Sequence, residues 1–181
     1  FNLSIAGEDG LFIGTDSLYR NDMNDSIYYV ETCRELGIGI SASIFEPSFL
    51  KFILAYYRAG KLPTGTMVKF YFGADNLPFG MPPTPASLNA YLGMMGDCDL
   101  PWLVSSFGDD CVRCGIAEEA IRLGGHVQVG LEPYGGNRTP SNVELVTEVV
   151  ALAKKYDRPI ATPAMAAGIL ALPSYPVSYV S

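Results

Sequence analysis

The stretches Gly124-Gly-His-Val-Gln-Val-Gly-Leu-Glu-Pro133 and Ser141-Asn-Val-Glu-Leu-Val146 decide the fold. The first predicts a β-strand from His126 to Glu132, because apolar residues dominate it and glycine and proline flank it. The second carries a Ser-x-x-Glu capping box at the start of a predicted helix from Asn142 to Tyr156. A strand followed by an amphipathic helix is one βα unit, which is the building block of parallel sheets.

The same alternation of strand and helix extends toward the N-terminus. Strands are predicted over Leu3 to Ala6, Ile38 to Phe45, Met67 to Phe72 and Trp102 to Phe107. Helices are predicted over Asp25 to Leu36, from Pro47 to the residue before Gly60, over Pro85 to Met95 and over Cys111 to Leu123. After the last long helix, a short helix that follows Pro163 is expected to form a tail that packs onto the rest. The sequence therefore predicts an α/β fold with five strands, in a single domain over residues 1–181.

Composition excludes several classes of function. The chain has 181 residues, 49% of them hydrophobic, and a formal net charge of -7 with scattered lysines and arginines, which disfavours nucleic acid as a partner. No apolar run approaches the roughly 18 to 20 residues that span a bilayer, and no signal peptide is recognisable. We therefore expect a cytoplasmic protein without a membrane partner, whose four cysteines are reduced.

Two further motifs have both a functional and a structural interpretation. Cys111-Val-Arg-Cys114 is a C-x-x-C at a predicted helix start, where the helix dipole lowers a thiol pKa, but a second ligand pair for a zinc finger is missing. Two helix-packing thiols are the favoured interpretation. His126, the chain's one histidine, lies at the start of its predicted strand, which favours a structural role. Ser105, Ser106 and Asp109 follow the strand that starts at Trp102 and are candidates to reach a site at its carboxyl end.

Three segments together resemble the β-keto acid cleavage enzymes. In that family a GGHVRVGLED strand precedes an N-x-E-L-V helix and an A-T-P-x-E-A-R tail. Here the corresponding segments are Gly124 to Pro133, Asn142 to Val146 and Ala161 to Ala167, in the same order and at similar spacing. The likeness continues backward through Pro101-Trp102 to the strand end Ile44-Phe45-Glu46.

The resemblance implies a zinc-dependent retro-Claisen reaction, in which a β-keto acid and acetyl-CoA exchange to give acetoacetate and a new acyl-CoA. In the family, an H-x-H pair on an early strand and the glutamate of GLED hold the zinc. That glutamate corresponds to Glu132, which implies that Glu132 is a metal ligand. No H-x-H occurs in this chain, so the histidine ligands are expected from an absent N-terminal segment.

The sequence departs from the family pattern at several site positions. The family's strand arginine corresponds to Gln128, and the aspartate after the zinc glutamate corresponds to Pro133. The strand-end glutamate of the family aligns with either Ser43 or Glu46. These positions make Gln128, Ser43 and Glu46 the candidate catalytic residues. They also keep a second hypothesis open, namely a catalytically degenerate relative that acts as a binding or assembly subunit.

The family's (β/α)8 barrel implies that this chain covers about the last five βα units and a tail. A complete barrel needs about 250 residues, so roughly three units would precede Phe1. The alternative is a self-contained open α/β sheet. A barrel fragment exposes two strand edges, so we expect association with a complementary N-terminal segment or with an identical chain as a homo-oligomer.

Overall fold

The computed structural model describes residue 1 and residues 3–172, so the predicted single domain over residues 1–181 extends beyond the described residues. Six helices and four strands alternate along this part of the chain. The helices are α1 (Met23–Leu36), α2 (Pro47–Arg58), α3 (Pro85–Met95), α4 (Ile116–Arg122), α5 (Asn142–Lys155) and α6 (Pro163–Ile169). The strands are β1 (Ser41–Ile44), β2 (Met67–Gly73), β3 (Trp102–Phe107) and β4 (His126–Val127). None of these helices, within the described residues, combines the length and apolarity needed to cross a bilayer.

The four strands form one parallel sheet in the order β1-β2-β3-β4. Each strand pairs with the next strand in sequence, and helices connect them, as the βα alternation predicts. The α/β class with a parallel sheet is therefore confirmed. Within the described residues, β1 and β4 each have one unpaired edge.

Helix boundaries follow the capping signals in the sequence. Gly37 ends α1 with φ 66°, a left-handed conformation that glycine adopts without strain. Thr84 caps α3 by accepting a hydrogen bond from the Ser87 backbone N–H, and the predicted capping box of Ser141 and Glu144 opens α5. These three boundaries were predictable because each depends on residues adjacent in sequence.

The core lies between the sheet and the helices that cover one of its faces. Along β2, Val68, Phe70 and Phe72 are fully or almost fully buried, and Leu50 of α2 and Leu88 of α3 pack into the same cluster. Strand side chains alternate between faces, so Lys69 and Tyr71 lie on the opposite face of the sheet from this core.

The predicted strand from Leu3 to Ala6 is wrong. This segment makes an isolated antiparallel bridge between Ala6 and Phe12, and Ile13 donates a backbone hydrogen bond to Ile5. It therefore folds back on its own chain and does not join the parallel sheet. As a result the described sheet has four strands and not the predicted five.

Three predicted elements are shorter in the structure. The strand that was expected to start at Ile38 begins at Ser41, and the strand that was expected to reach Glu132 ends at Val127. The helix expected from Cys111 begins at Ile116, because the Asp110 carboxylate accepts hydrogen bonds from the Val112 and Arg113 backbone N–H groups. Those bonds fold residues 111–114 into a turn ahead of the helix.

Candidate active site

The candidate site lies on the face of the sheet opposite the core helices. Strand register places Ser43 beside Lys69 and Tyr71 beside Ser105. Gln128 follows β4 directly, and its backbone N–H still donates to the Val104 carbonyl at 2.9 Å. Polar residues from four neighbouring chain segments therefore meet on one face. In parallel α/β sheets, ligands bind at the carboxyl ends of the strands.

Gln128 is held on this face of the sheet by a chain of hydrogen bonds. The Tyr71 hydroxyl donates to Gln128 Oε1 at 3.3 Å, and Lys69 Nζ donates to the Tyr71 hydroxyl at 3.1 Å. Tyr71 is buried, whereas Lys69 and Gln128 are half-buried. The sequence prediction named Gln128 but missed Lys69 and Tyr71. The i, i+2 spacing of these two residues within a predicted strand was the available signal, because it places both on one face.

Ser43 and Glu46 have different surroundings. Ser43 is half-buried on β1 and is the register partner of Lys69 on β2. Glu46 stands before α2 without capping it, and its Oε1 accepts a hydrogen bond from the Gly80 backbone N–H at 3.2 Å. Glu46 therefore contacts the loop between β2 and α3. Burial, followed by the charge of Glu46, raises the pKa of Tyr91 to about 12.

Glu132 lies in the turn of residues 131–133, and its side chain is exposed. The turn is anchored on one side, since Pro133 is buried and its carbonyl accepts a hydrogen bond from the Gly108 N–H at 2.9 Å. Beyond it, Asp109 and Tyr134 form an isolated parallel bridge. The chain thus leaves the sheet after Gln128 and returns to the end of β3, and Glu132 lies in the turn between these two points.

Glu132 can supply one carboxylate to a metal ion. Zinc sites in proteins use three or four ligands drawn from His, Cys, Asp and Glu. Within the described residues, no group of three or more such side chains is arranged to hold a metal. The part of the chain that the structure describes therefore does not fit a zinc ion by itself.

An ion-pair network that the sequence prediction missed ties the loop before α4 to the loop before α5. Arg138 donates to Asp110 Oδ2 from Nε at 2.7 Å, and its Nη1 and Nη2 form a bidentate pair with Glu148 at 2.6 and 2.7 Å. Burial of Asp110 opposes ionisation, but the hydrogen bonds from Arg138 and from the backbone outweigh it and lower the pKa of Asp110. Asp110 and Glu148 lie 28 and 10 positions from Arg138, so no short-range pattern in the sequence predicts these contacts.

The remaining candidates from the sequence are two cysteines, one histidine and two serines, which take no part in the hydrogen bonds that join Lys69, Tyr71 and Gln128. Burial raises the pKa of both the Cys111 and the Cys114 thiol, opposite to the lowering expected at a helix start. The Cys111-x-x-Cys114 turn precedes α4 and is not its first turn. His126 is half-buried at the start of β4, and burial, together with the nearby charge of Arg158, lowers its pKa. Ser105 and Ser106 are buried, and their hydroxyls have no hydrogen-bond partner among the described residues.

Comparisons with known proteins identify relatives. The family model described as beta-keto acid cleavage enzyme matches residues 2–172. The 3-keto-5-aminohexanoate cleavage enzyme of Acetoanaerobium sticklandii is 30% identical over 170 residues, which cover 92% of this chain and 58% of that protein. The 3-oxoadipate:acetyl-CoA acetyltransferase of Cupriavidus necator is 32% identical over 136 residues, 72% of this chain and 46% of that protein.

A further relative is the 3-keto-5-aminohexanoate cleavage enzyme of Fusobacterium nucleatum, which is 28% identical over 176 residues, 92% of this chain and 57% of that protein. The chain spans about half the length of the curated relatives it matches. The family match nevertheless covers almost every residue of this chain and includes the whole candidate site. The chain belongs to the beta-keto acid cleavage enzyme family.

Proposed function

We propose that this chain takes part in the cleavage of a β-keto acid by exchange with acetyl-CoA. The acyl part of the keto acid passes to CoA, and the remaining two-carbon carboxylate unit takes the acetyl group, which yields acetoacetate and a new acyl-CoA. The observation that carries this proposal is the family match over residues 2–172. The printed names of the relatives, which include a keto acid cleavage enzyme and an acetyl-CoA acetyltransferase, agree in reaction type.

The architecture that accompanies this function is a (β/α)8 barrel in which the four-stranded sheet is one part. Two features support it: the sheet is parallel with sequential strand order, and its two edges are unpaired within the described residues. A groove of about 530 Å³ also runs beside β1, between α1 and α2. We propose that a complementary segment or a second copy of the chain covers these edges, because unpaired strand edges are association sites.

Within this architecture, the candidate residues take separate roles. Gln128 lines the substrate face together with Ser43, since both lie on the face of the sheet opposite the core helices. Glu46 positions the loop after β2 through its hydrogen bond to Gly80 and does not itself reach Gln128 through any hydrogen bond between described residues. To Glu132, whose exposed side chain lies in the turn of residues 131–133, we assign the role of metal ligand that the resemblance implies.

Zinc, as the family resemblance implies, would act as a Lewis acid and orient the keto acid. Since no three His, Cys, Asp or Glu side chains among the described residues are grouped to hold a metal, further ligands would come from outside them. A complementary segment or second chain at the unpaired edges is therefore part of the zinc proposal.

The test is to purify the chain together with any segment that associates with it, to add zinc, acetyl-CoA and a panel of β-keto acids, and to follow acyl-CoA products by mass spectrometry. The panel includes 3-keto-5-aminohexanoate and 3-oxoadipate. We expect one or more keto acids to yield acyl-CoA. Glu132→Gln should reduce the rate at least about 100-fold, since loss of a metal ligand or charged site group is typically this costly. Glu35→Gln, at an exposed position of α1, serves as the matched control and should retain the wild-type rate.

A second function is favoured by the neutral side chains at Gln128 and Pro133, where the resemblance leads one to expect an arginine and an aspartate. In that case the chain binds keto acid or acyl-CoA without turnover and serves as a binding or assembly subunit. Measurable binding of a keto acid with no acyl-CoA product, with and without added zinc, would select this function over catalysis.

A further inference from the structure

We propose that Arg138 is a positioning residue, which sets the place of Glu132 by fastening the β4–α5 loop (residues 128–141) to the β3–α4 loop (residues 108–115) and to α5. Glu132 and Arg138 both lie in the β4–α5 loop. The role of Glu132 rests on the proposed function, and the inference adds the residue through which Glu132 is kept in place.

The position of Glu132 is set by its neighbours in the chain, because its own side chain is exposed. On the N-terminal side, the Gln128 backbone N–H donates to the Val104 carbonyl at 2.9 Å. On the C-terminal side, the Pro133 carbonyl accepts from the Gly108 N–H, also at 2.9 Å. Glu132 therefore moves if Pro133 leaves the end of β3.

Among the described residues, two backbone hydrogen bonds join the β4–α5 loop to the β3–α4 loop. One is the bond between Gly108 and Pro133. The second, at 3.3 Å, runs from the Gly135 N–H to the Asp109 carbonyl, next to the isolated bridge of Asp109 and Tyr134. Segments held by few backbone hydrogen bonds open locally at a low cost in free energy. A further contact is therefore needed to hold the two loops together.

Arg138 supplies this contact through its guanidinium group. Its Nε donates to Asp110 Oδ2 at 2.7 Å, and its Nη1 and Nη2 donate to the two carboxylate oxygens of Glu148 at 2.6 and 2.7 Å. Asp110 lies in the β3–α4 loop, where its other oxygen accepts from the Val112 and Arg113 backbone N–H groups. Glu148 lies in α5, so one planar guanidinium joins three parts of the fold in a fixed geometry. We call Arg138, Asp110 and Glu148 the Arg138 clamp.

The Arg138 clamp uses its charges within the protein. The Asp110 side chain is 5% exposed and is paired with Arg138, and Nη2 of Arg113 lies 3.4 Å from Glu148. Two carboxylates thus face two guanidinium groups. Equal numbers of opposite charges cancel each other's field, so the network has no excess charge with which to bind an ion. Holding the loops together is the role that fits it.

The backbone beside the Arg138 clamp is in close contact across the two loops. A Cβ atom on Gly135 would lie 2.5 Å from the Gly108 backbone, and a Cβ atom on Gly136 would lie 2.9 Å from Asp110 Cβ. Both distances are shorter than van der Waals contact, so only glycine fits at these two positions. With the loops packed this closely, a displacement of the clamp is passed on to the backbone of both loops.

The first test is amide hydrogen exchange in the full chain, measured at single-residue resolution by NMR. The amides of Gly108 and Gly135 are the reporters, because each donates from one loop to the other. Arg138→Gln removes the charge and the fork of donors. We expect both reporter amides to exchange about tenfold or more faster in this variant, since the loss of hydrogen bonds to charged groups makes local opening easier.

Two controls separate positioning from a general loss of stability. Arg122→Gln breaks the bidentate ion pair between Arg122 and Glu119 within α4, outside both loops. Ile53→Val removes one buried methylene group from α2 and lowers the stability of the whole chain. Both variants should leave exchange at Gly108 and Gly135 unchanged, because these amides exchange through local opening of the loops.

The second test asks whether Arg138 acts through Glu132. Under the proposed function, Arg138→Gln should slow the formation of acyl-CoA from the keto acid panel about tenfold, since a small misplacement of a site group is costly. In a chain that already carries Glu132→Gln, the same substitution should slow the reaction no further, because residues that act as one unit do not have additive effects. Arg122→Gln and Ile53→Val should retain the wild-type rate.

A milder variant keeps the test valid if Arg138→Gln does not fold. Glu148→Gln leaves Arg138 paired with Asp110 and weakens the attachment to α5, so the reporter amides should exchange about threefold faster. Wild-type exchange at both reporters in the folded clamp variants, or equal acceleration in Ile53→Val, overturns the inference. Further slowing by Arg138→Gln in the chain that carries Glu132→Gln also overturns it.

The outcomes separate the positioning role from the proposed function. Faster exchange at the reporters in a chain that turns over no keto acid would support the Arg138 clamp as the device that holds the turn of Glu132, and would refute catalysis. Turnover at the wild-type rate in Arg138→Gln would refute the positioning role and leave the function intact.

Discussion

The centre of the chain and its two flanks differ in the exposure of their large apolar side chains. Between residues 39 and 130, no large hydrophobic side chain among the described residues is exposed, whereas twelve are exposed before this region and seven after it. The first flank includes Leu18, Tyr28 and Tyr29, and the second includes Val143, Ile160 and Met165. The first flank leads into β1, and the second follows β4. The difference teaches that the central βα units form a self-contained core, while the exposed apolar surfaces of the two flanks are suited to a partner.

The largest expected effect comes from truncating the core. Leu50→Ala removes a fully buried side chain from the cluster between α2 and the sheet, and should lower the free energy of unfolding by about 2–5 kcal/mol. Leu18→Ala is the matched control, since Leu18 is 68% exposed, and should change it by less than about 0.5 kcal/mol. Urea unfolding followed by circular dichroism measures both. A similar loss in the two variants would contradict the division between centre and flanks.

The two flanks can be tested by measuring whether the chain associates with a second copy of itself or with a complementary segment. We expect the chain to form oligomers, or to bind a complementary segment, at micromolar concentration in size-exclusion chromatography with light scattering. Replacing both Tyr28 and Tyr29 by Asp places charge on the first flank and should weaken self-association at least about tenfold. The control Lys51→Asp alters an exposed position of α2 and should leave association unchanged. A monodisperse monomer for wild type at every concentration would show that the flanks do not bind a second copy.

The second flank is joined to the centre by the network of Asp110, Arg138 and Glu148, which predicts a dependence of stability on pH. The folded state holds the pKa of Asp110 below its ordinary value of 3.8, so its contribution is complete above that pH and is lost as the pH falls further. Asp110→Asn should lower the free energy of unfolding at pH 7 by about 1–3 kcal/mol and flatten its decline in acid. Asp75→Asn, at an exposed position, should do neither. Equal acid sensitivity of wild type and Asp110→Asn would contradict this assignment.

The smallest effect is expected at the hydrogen bond between Tyr71 and Gln128. Tyr71→Phe keeps the ring and removes the hydroxyl, so we expect the free energy of unfolding to change by about 1 kcal/mol or less. Acetoacetate binding should weaken only a few-fold, because Tyr71 acts on the proposed substrate face only through its hydrogen bond to Gln128. Calorimetry on Tyr71→Phe beside Tyr57→Phe, which removes an exposed hydroxyl bonded to Asp99, distinguishes a site effect from a general one. Binding that weakens equally in both variants would argue against a specific role for Tyr71.

Features that depend on neighbouring residues were predictable from the sequence. The α/β class, the parallel sheet, the boundaries of α3 and β3 and the capping box of α5 all follow from short-range patterns. The predictions were wrong at two places where hydrogen bonds within a segment override its apolar pattern. Asp110 accepts backbone hydrogen bonds that delay the start of α4, and the N-terminal segment pairs with its own following residues and not with the sheet.

The candidate site was predictable in part for the same reason. Gln128 was identified through a contiguous motif, and the structure places it in a row of polar residues. Lys69 and Tyr71 lie 57 or more positions earlier in sequence, and only strand register brings them beside Gln128. Parallel strands are separated in sequence by the helices that connect them, so no single stretch of sequence specifies which residues become register partners.

Carbon tracing tests the proposed exchange most directly. Acetyl-CoA labelled with ¹³C in both acetyl carbons is incubated with the chain and an unlabelled β-keto acid, and the products are analysed by NMR and mass spectrometry. The proposed reaction predicts acetoacetate labelled at C3 and C4 and an unlabelled acyl-CoA in equal amounts, because the acetyl group moves intact onto the two-carbon carboxylate unit. Unlabelled acetoacetate, release of labelled acetate, or recovery of unchanged acetyl-CoA with every keto acid tested would contradict it.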